Sequence, residues 1–157
     1  MNLYVVDASV AIKWVVSEVH SDIAMSLRRH RLAAPELLGP ECANILWKKV
    51  RLGHISDEVA SIAAAGLERM PVALHSTRPL IRQATVLSIA LGHPAYDCFY
   101  LSLALTIGCQ FITADERLVR RLDQPDAKGW RQQVLSLRDA AISPTPPPDP
   151  SDRDSGR

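Results

Sequence analysis

The chain has 157 residues, which is enough for one domain whose core needs neither disulfide bonds nor a structural metal. Hydrophobic residues make up 47% of the sequence and charged residues 22%, a globular composition that excludes a chain disordered throughout. The formal net charge is only +1, so charge by itself gives no indication that the chain binds nucleic acid.

Cysteine usage and hydropathy bear on the compartment. The cysteines form an odd set with no CxxC spacing and lie in apolar stretches, which predicts reduced thiols in a cytosol: Cys42, Cys98 and Cys109. No charged leader precedes the first apolar run, and no apolar stretch approaches the roughly 18 residues that a membrane span needs. We therefore expect a cytoplasmic protein that is neither secreted nor inserted in a membrane.

Apolar runs and helical periodicity predict alternating strands and helices. In chain order the pattern predicts a strand at residues 3–6, a helix at 17–29, a weak strand at 32–34, helices at 36–52 and 56–69, a weak strand at 72–75, helices at 79–91 and 97–107, a strand at 110–113 and a weak strand at 133–137. Ser56 is expected to be an N-cap, and Gly53, Gly92 and Gly108 stand where C-capping glycines belong. This alternation predicts an α/β fold with a parallel sheet covered on both faces.

The chain ends in a segment of different composition. Residues 143–157 contain five prolines together with Asp and Ser and almost no apolar residue, which predicts a disordered tail after a domain of residues 1–142. Neither GxGxxG nor GxxxxGK[ST] occurs in the sequence, so the usual signatures of nucleotide-cofactor binding are absent.

Two acids follow the two strong strands directly. Asp7 comes after the strand at 3–6, and Asp115 lies just past the strand at 110–113. Ligands of open parallel sheets bind outside the carboxyl ends of the strands, so both carboxylates are expected at one edge. The alternative is that each aspartate only caps the turn after its strand.

Two further acids belong to predicted helices. Asp97 opens a helix whose next ten residues carry no charge, and its alternative role is that of an N-cap. Glu41 shares a helix face with Asn44, which is three residues on and suited to holding the carboxylate or a bound water. Its alternative is a solvated face that continues to Lys48.

Four carboxylates brought together would repel one another unless protons or a cation intervened. Carboxylate oxygens without His or Cys select Mg²⁺ or Mn²⁺ over zinc, and Mg²⁺ commonly shares its site with a substrate phosphate. A phosphodiester is the implied substrate. Ser9 and Thr113 each lie two residues from one of the strand-end acids, so their hydroxyls are expected to reach metal-bound water or phosphate, or else to close local turns. The five histidines are scattered, and His93 is the least certain to be an ordinary surface residue.

The segments VVDASVAIKW, PELLGPECANILW, AYDCFYLSLA and FITADERL resemble the four signature blocks of PIN-domain nucleases, in particular of VapC-like toxins of type II toxin–antitoxin systems. The resemblance spans residues 1 to about 138. It implies a PIN-like three-layer fold with a central parallel sheet of about five strands flanked by helices. The blocks carry the family's residues at Asp7 and Ser9, at Glu41 and Asn44 of an E-x-x-N pattern, at Asp97, and at Thr113 and Asp115. Cys98 stands where a small residue such as Ala is common.

The resemblance also implies a function. It implies a Mg²⁺- or Mn²⁺-dependent endoribonuclease that cuts single-stranded RNA, forms homodimers and binds a cognate antitoxin protein. Asp7, Glu41, Asp97 and Asp115 are then the catalytic and metal-binding residues. Basic residues near the blocks are candidates for RNA phosphate contacts, with solvated helix faces as the alternative: Lys13, Lys48, Lys49, Arg51, Arg117, Arg120 and Arg121.

Rival functions fit the sequence less well. A phosphatase of the haloacid-dehalogenase type needs a second Asp where Ser9 stands, and a phospho-acceptor receiver domain needs paired acids after its first strand. A non-catalytic metal-binding module that binds RNA or a partner protein on the same fold is the more serious alternative, because fold alone does not decide function. Four converging carboxylates favour catalysis.

Overall fold

A computed structural model describes residues 1–140, and its centre is a five-stranded parallel sheet. The strands are β1 (Leu3–Val6), β2 (Arg31–Pro35), β3 (Val72–His75), β4 (Gln110–Thr113) and β5 (Val134–Ser136), in the spatial order β3-β2-β1-β4-β5. Every pairing is parallel, so the predicted sheet is confirmed. The predicted tail at 143–157 and the last two residues of the predicted domain lie outside the described residues.

Helices connect the strands and cover both faces of the sheet. Within residues 1–140 they are α1 (Ala8–Ala11), α2 (Ser21–Leu27), α3 (Leu38–Arg51), α4 (Asp57–Leu67), α5 (Ile81–Leu91), α6 (Ala95–Ile107), α7 (Glu116–Leu122), α8 (Lys128–Arg131) and α9 (Leu137–Ala140). Short 3₁₀ turns follow α1 and precede α5. None of these helices is both long and apolar enough to cross a membrane.

Alternate residues of the central strands point into two different cores. Val5 and Phe111 belong to the larger core, beneath α6, whereas their neighbours Val6 and Ile112 belong to the core on the opposite face. This is the two-residue period of a strand buried on both sides. The arrangement gives three layers, helix on sheet on helix, as the resemblance implies.

The uncharged helix α6 is the centre of the larger core. It contacts β1, β2 and β4, and Tyr100 and Leu101 are fully buried. The ring of Tyr100 stacks on Phe111 of β4 with centroids 5.6 Å apart. The prediction that this helix is buried is confirmed, and it fixes the first turn of α6 against the carboxyl ends of the central strands.

Helix boundaries differ from the sequence predictions by a few residues, each for a local reason. The helix predicted at 17–29 begins only at Ser21, because His20 has a left-handed φ of 65°. The helix predicted from residue 36 begins at Leu38, because the Glu36 amide still donates to the His75 carbonyl at the sheet edge. The last predicted helix begins at Ala95 rather than at Asp97, so Asp97 lies in the first turn and is not the N-cap.

The capping predictions hold. Ser56 accepts a hydrogen bond from the Val59 amide at the start of α4, and Gly92 and Gly108 end α5 and α6 with left-handed backbone. Helices α1, α8 and α9 have four residues each, which is too short to produce the periodicity that reveals a helix in a sequence. The seven-residue helix α7 was not predicted either. All three cysteines are free thiols, and Cys42 and Cys98 are buried.

Candidate active site

The four predicted acids line one cleft at the carboxyl edge of the sheet. Asp7 and Asp115 arrive from the ends of the neighbouring strands β1 and β4, Glu41 from the start of α3, and Asp97 from the first turn of α6. The cleft has a volume of about 320 Å³, and Ser9 and Asn44 also line it. Strand order therefore brings together carboxylates that are up to 108 residues apart in the sequence.

Asp7 is buried and held on both of its oxygens. The Ser9 hydroxyl donates to Oδ1 at 2.5 Å, and the Thr113 hydroxyl donates to Oδ2 at 2.5 Å. The Val10 amide also donates to Oδ1, which makes Asp7 the N-cap of α1. The capping role and the place in the cleft, weighed as alternatives from the sequence, are both present.

Ser9 and Thr113 also join the ends of β1 and β4. Ser9 Oγ accepts from the Ala114 amide at 2.9 Å, and Thr113 Oγ1 accepts from the Asp115 amide at 2.9 Å. Their hydroxyl protons are directed at Asp7. The structure thus gives these side chains a task that the sequence did not suggest, which is to fix one carboxylate where two strands end.

Glu41 and Asp97 have hydrogen-bond partners that sequence reasoning missed. The Tyr100 hydroxyl donates to Glu41 Oε2, and His93 Nε2 lies 2.5 Å from Asp97 Oδ2. Tyr100 follows Asp97 by three residues on α6, whereas His93 lies in the bend before that helix. The contact with Asp97 shows that His93 is not an ordinary surface residue.

Asp115 and Asn44 are placed differently from the other site residues. Asp115 caps α7 by accepting from the Arg117 amide at 2.8 Å, and its carboxylate also pairs with the exposed Arg117 guanidinium. The Asn44 side chain lines the cleft but makes no hydrogen bond to Glu41 in the described part of the chain. The role predicted for Asn44, holding that carboxylate, stays a prediction.

Comparison with known proteins identifies the family. The model of the PIN domain family matches residues 4–124, which include all four acids. The chain belongs to the PIN domain family. The acids of the four signature blocks thus line one cleft of a PIN domain.

Named relatives agree with this assignment. Ribonuclease VapC3 of Pyrobaculum aerophilum is 32% identical over 121 residues, covering 74% of this chain and 92% of the relative. Two solved structures share the fold. PAE2754 of Pyrobaculum aerophilum is 22% identical with a TM-score of 0.62 over 90% of this chain and 91% of that chain. VapC20 of Mycobacterium tuberculosis, described as a toxin that cleaves the sarcin-ricin loop, is 15% identical with a TM-score of 0.55 over 71% of this chain and 87% of that chain. This PIN domain is VapC-like.

The cleft of this PIN domain disfavours negative charge on three of its acids. Burial, together with the nearby Asp97 charge, raises the pKa of Asp7 to about 7, despite the hydrogen bonds from Ser9 and Thr113. Burial also raises the pKa of Glu41 and that of Asp97. A cation in the cleft would remove this penalty.

Asp115 shows the opposite behaviour. Burial raises its pKa, but the hydrogen bonds and the charge of Arg117 outweigh burial, so the pKa falls below its ordinary value. Asp115 therefore carries its negative charge in the absence of any metal. The PIN domain cleft contains one stably ionised carboxylate beside three whose ionisation is opposed.

The donor chemistry of the cleft fits a hard divalent ion. All four acids offer oxygen, and Glu41 Oε1 and Asp97 Oδ1 accept no hydrogen bond from any described residue. Within residues 1–140, however, no three His, Cys, Asp or Glu side chains are positioned to bind one ion together as they stand. Mg²⁺ is commonly held by one or two carboxylates with water, so the donor set fits such an ion without a preformed cage.

Three of the seven basic candidates near the signature blocks pair with acids outside the cleft. Lys13 and Lys49 both bind the Glu18 carboxylate, and Arg121 pairs with Asp126. Lys48 and Arg117 are the two of the seven candidates that line the acidic cleft. They are the cations that a phosphate in the cleft of this PIN domain would meet.

Proposed function

We propose that this chain is a metal-dependent endoribonuclease that hydrolyses RNA phosphodiester bonds and acts as the toxin of a toxin–antitoxin pair. The observation that carries the proposal is the convergence of four carboxylates from four separate elements on one cleft, where the ionisation of three of them is opposed by burial. The relative named Ribonuclease VapC3 supports RNA as the substrate class.

In this proposal Asp7, Glu41 and Asp97 hold Mg²⁺ or Mn²⁺, and Asp115 orients a water or a second ion. A bound ion supplies charge neutralisation at the phosphodiester and a lower pKa for the attacking water. Ser9 and Thr113 hold the Asp7 carboxylate in one orientation through their hydrogen bonds to its two oxygens. Because Asp7 is fixed at the junction of two strands, its carboxylate is already oriented before an ion or the substrate binds.

The cations of the cleft fit the charge of the substrate. Lys48 lies two turns after Glu41 on α3, and Arg117 lies in the first turn of α7. Both line the cleft that the acids share, so they are suited to contact phosphates on either side of the scissile bond. Contacts with phosphates position the RNA strand in the cleft but do not distinguish one base sequence from another.

Cleavage of total cellular RNA by the purified protein tests the proposal. We expect discrete cuts with Mg²⁺ or Mn²⁺, no cuts with EDTA, and no cuts by an Asp7→Ala variant in the presence of metal. The cut positions, mapped by primer extension, identify the target. Circular dichroism of the variant checks that it is folded. If folded protein free of any bound partner makes no cuts, the activity is refuted and the non-catalytic RNA- or protein-binding module takes its place.

The proposal includes partners and a compartment. We infer a cognate antitoxin protein that blocks the acidic cleft, a homodimer, and a cytoplasmic location. Exposed apolar side chains on α5, which are 53 to 77% exposed, offer a surface for a second copy: Ile81, Val86 and Ile89. Their exposure in a single chain supports an interface on this helix.

Growth of a bacterial host tests the toxin role. Induced expression of the chain alone is expected to arrest growth within the period of induction, measured by optical density and colony counts. Co-expression with the protein encoded beside it should restore growth, and the Asp7→Ala variant should be harmless when expressed to the same level. Normal growth of a host that contains abundant soluble, RNA-cleaving protein would argue against a toxin.

A further inference from the structure

The acidic cleft adjoins a wider pocket whose lining includes apolar residues as well as charged ones. This pocket has a volume of about 530 Å³ and shares Glu41, Asp97 and Asp115 with the cleft. Its lining also includes four residues with largely apolar side chains, which we call the apolar wall: Leu37, Pro40, Pro94 and Tyr96. An apolar surface thus lies directly beside carboxylates that are proposed to act on a phosphodiester.

Tyr96 is the prominent member of the apolar wall. It precedes Asp97 in the first turn of α6 and is 63% exposed, although α6 is otherwise the most buried helix of the larger core. Within residues 1–140 it belongs to none of the hydrophobic clusters, and its hydroxyl makes no hydrogen bond. The packing of the domain therefore does not account for an aromatic ring at this position, whereas binding of a ligand would.

The surroundings of Tyr96 match one kind of ligand. A nucleotide presents a flat apolar base next to a charged phosphate, and the pocket presents an aromatic ring next to a mixed charged surface. Lys48 and Arg117 line the same pocket and supply positive charge there. A base can stack on an aromatic side chain only when it is unstacked from its neighbouring bases, which occurs in single strands, loops and bulges.

We propose that Tyr96 is a substrate-positioning residue that stacks on the nucleobase next to the scissile phosphate, with Lys48 and Arg117 contacting the flanking phosphates. The inference rests on the proposed ribonuclease function and adds to it a base-binding subsite. The Tyr96 ring selects unpaired nucleotides, and it tolerates different bases because every base offers a flat face. The sequence preference of the enzyme then comes from other contacts.

Binding in the absence of cleavage is the direct test. The probes are a short fluorescein-labelled single-stranded RNA of mixed sequence and an abasic ribose-phosphate oligomer of the same length and charge. Fluorescence anisotropy with Mg²⁺, in an Asp7→Asn background that is expected not to cleave, gives the dissociation constant for each. Removing the ring with Tyr96→Ala should weaken RNA binding by about 5- to 150-fold and leave binding of the abasic oligomer unchanged. Tyr96→Phe should behave as the parent.

A matched control separates stacking on Tyr96 from a general loss of exposed aromatic surface. Trp47 on α3 is 54% exposed and does not line the pocket, so Trp47→Ala should leave both affinities unchanged. If Tyr96→Ala binds RNA and the abasic oligomer as tightly as the parent does, the subsite proposal is refuted and the apolar wall is left for a protein segment.

The subsite proposal and the ribonuclease proposal can be refuted independently of each other. Metal-dependent cleavage by the wild-type chain decides the function, because that assay does not involve any change at Tyr96. Loss of base-dependent binding in Tyr96→Ala decides the subsite, because that assay needs no cleavage. With an active wild type, Tyr96→Ala should raise KM on single-stranded RNA far more than it lowers kcat. An equal effect on a substrate with an abasic nucleotide at the cut site would contradict stacking.

Discussion

Replacing Asp7 with asparagine is expected to abolish RNA cleavage and, in the absence of metal, to make the domain more stable at neutral pH. Both effects have one cause. The Asp7 carboxylate is only 4% exposed, and burial raises its pKa to about 7. The folded domain therefore has to accept a proton, or a buried negative charge, at a pH where the unfolded chain is ionised at no cost.

The direction of the pH dependence follows from the two pKa values of Asp7. Below about pH 4 the carboxyl is protonated in both the folded and the unfolded states, so the substitution gains nothing there. Between about pH 4 and pH 7 only the unfolded state is ionised, and the free energy of unfolding of the wild type falls as pH rises. Above about pH 7 the free energy of unfolding of the wild type falls no further on account of Asp7. The free energy of unfolding of Asp7→Asn should then exceed that of the wild type by about 2 to 4 kcal/mol.

Urea unfolding in EDTA at pH 5 and pH 8 measures this effect. The stability gap between Asp7→Asn and the wild type should widen at pH 8, whereas an exposed aspartate outside the cleft, tested with Asp22→Asn, should show no such widening. A gap that is the same at both pH values would mean that burial does not oppose the Asp7 charge. Saturating Mn²⁺ should narrow the gap, because an ion that binds only the folded wild type stabilises it.

The Asp97→Asn and Asp115→Asn variants are expected to separate the metal-binding role from the orienting role. Asp97→Asn keeps an oxygen for His93 but loses the charge, so cleavage should fall by about 10²- to 10³-fold and Mn²⁺ should bind at least about 10-fold more weakly. Asp115 is already paired with Arg117, so Asp115→Asn should reduce cleavage but change Mn²⁺ affinity little. Single-turnover cleavage and calorimetric titration with Mn²⁺ provide the two measurements.

The contrast between the two variants is the informative result. Full metal-dependent cleavage by Asp97→Asn would remove Asp97 from the proposed metal ligands. A large loss of Mn²⁺ affinity in Asp115→Asn would place Asp115 among those ligands and leave the orienting role to another group. Calorimetry is needed because both substitutions lower the cleavage rate, so the rate alone cannot separate their roles.

These expectations describe a site that is maintained at a cost in stability. Three carboxylates whose ionisation burial opposes would not be gathered in one cleft if packing alone were optimised. A substitution that stabilises the domain and removes its activity is the usual sign of such a site. The Asp7 experiment thus examines structure and function with one variant.

The sequence by itself predicted the family, the α/β alternation and the four acids that line the cleft. The β1 and β4 runs match their observed bounds because each contains a short buried apolar run with no helical period, Val5–Val6 in β1 and Phe111–Ile112 in β4. The burial of α6 could be predicted for a similar reason, since its last ten residues contain no charged side chain and give the helix no charged face. These are local properties, and they depend on residues that are consecutive in the sequence. The exact ends of several helices were not predicted, because a single hydrogen bond or a single residue with left-handed backbone moves a helix boundary.

Only the tertiary structure decided which side chains meet. Placing β1 beside β4 brought Thr113 to Asp7, 106 residues away, and packing α6 under the sheet brought Tyr100 to Glu41, 59 residues away. Tertiary packing also paired Lys49 of α3 with Glu18, which binds Lys13 as well, whereas Lys48 lines the cleft. No periodicity in a sequence encodes such pairs, because contacts between distant segments depend on strand order and on the packing of whole elements against one another.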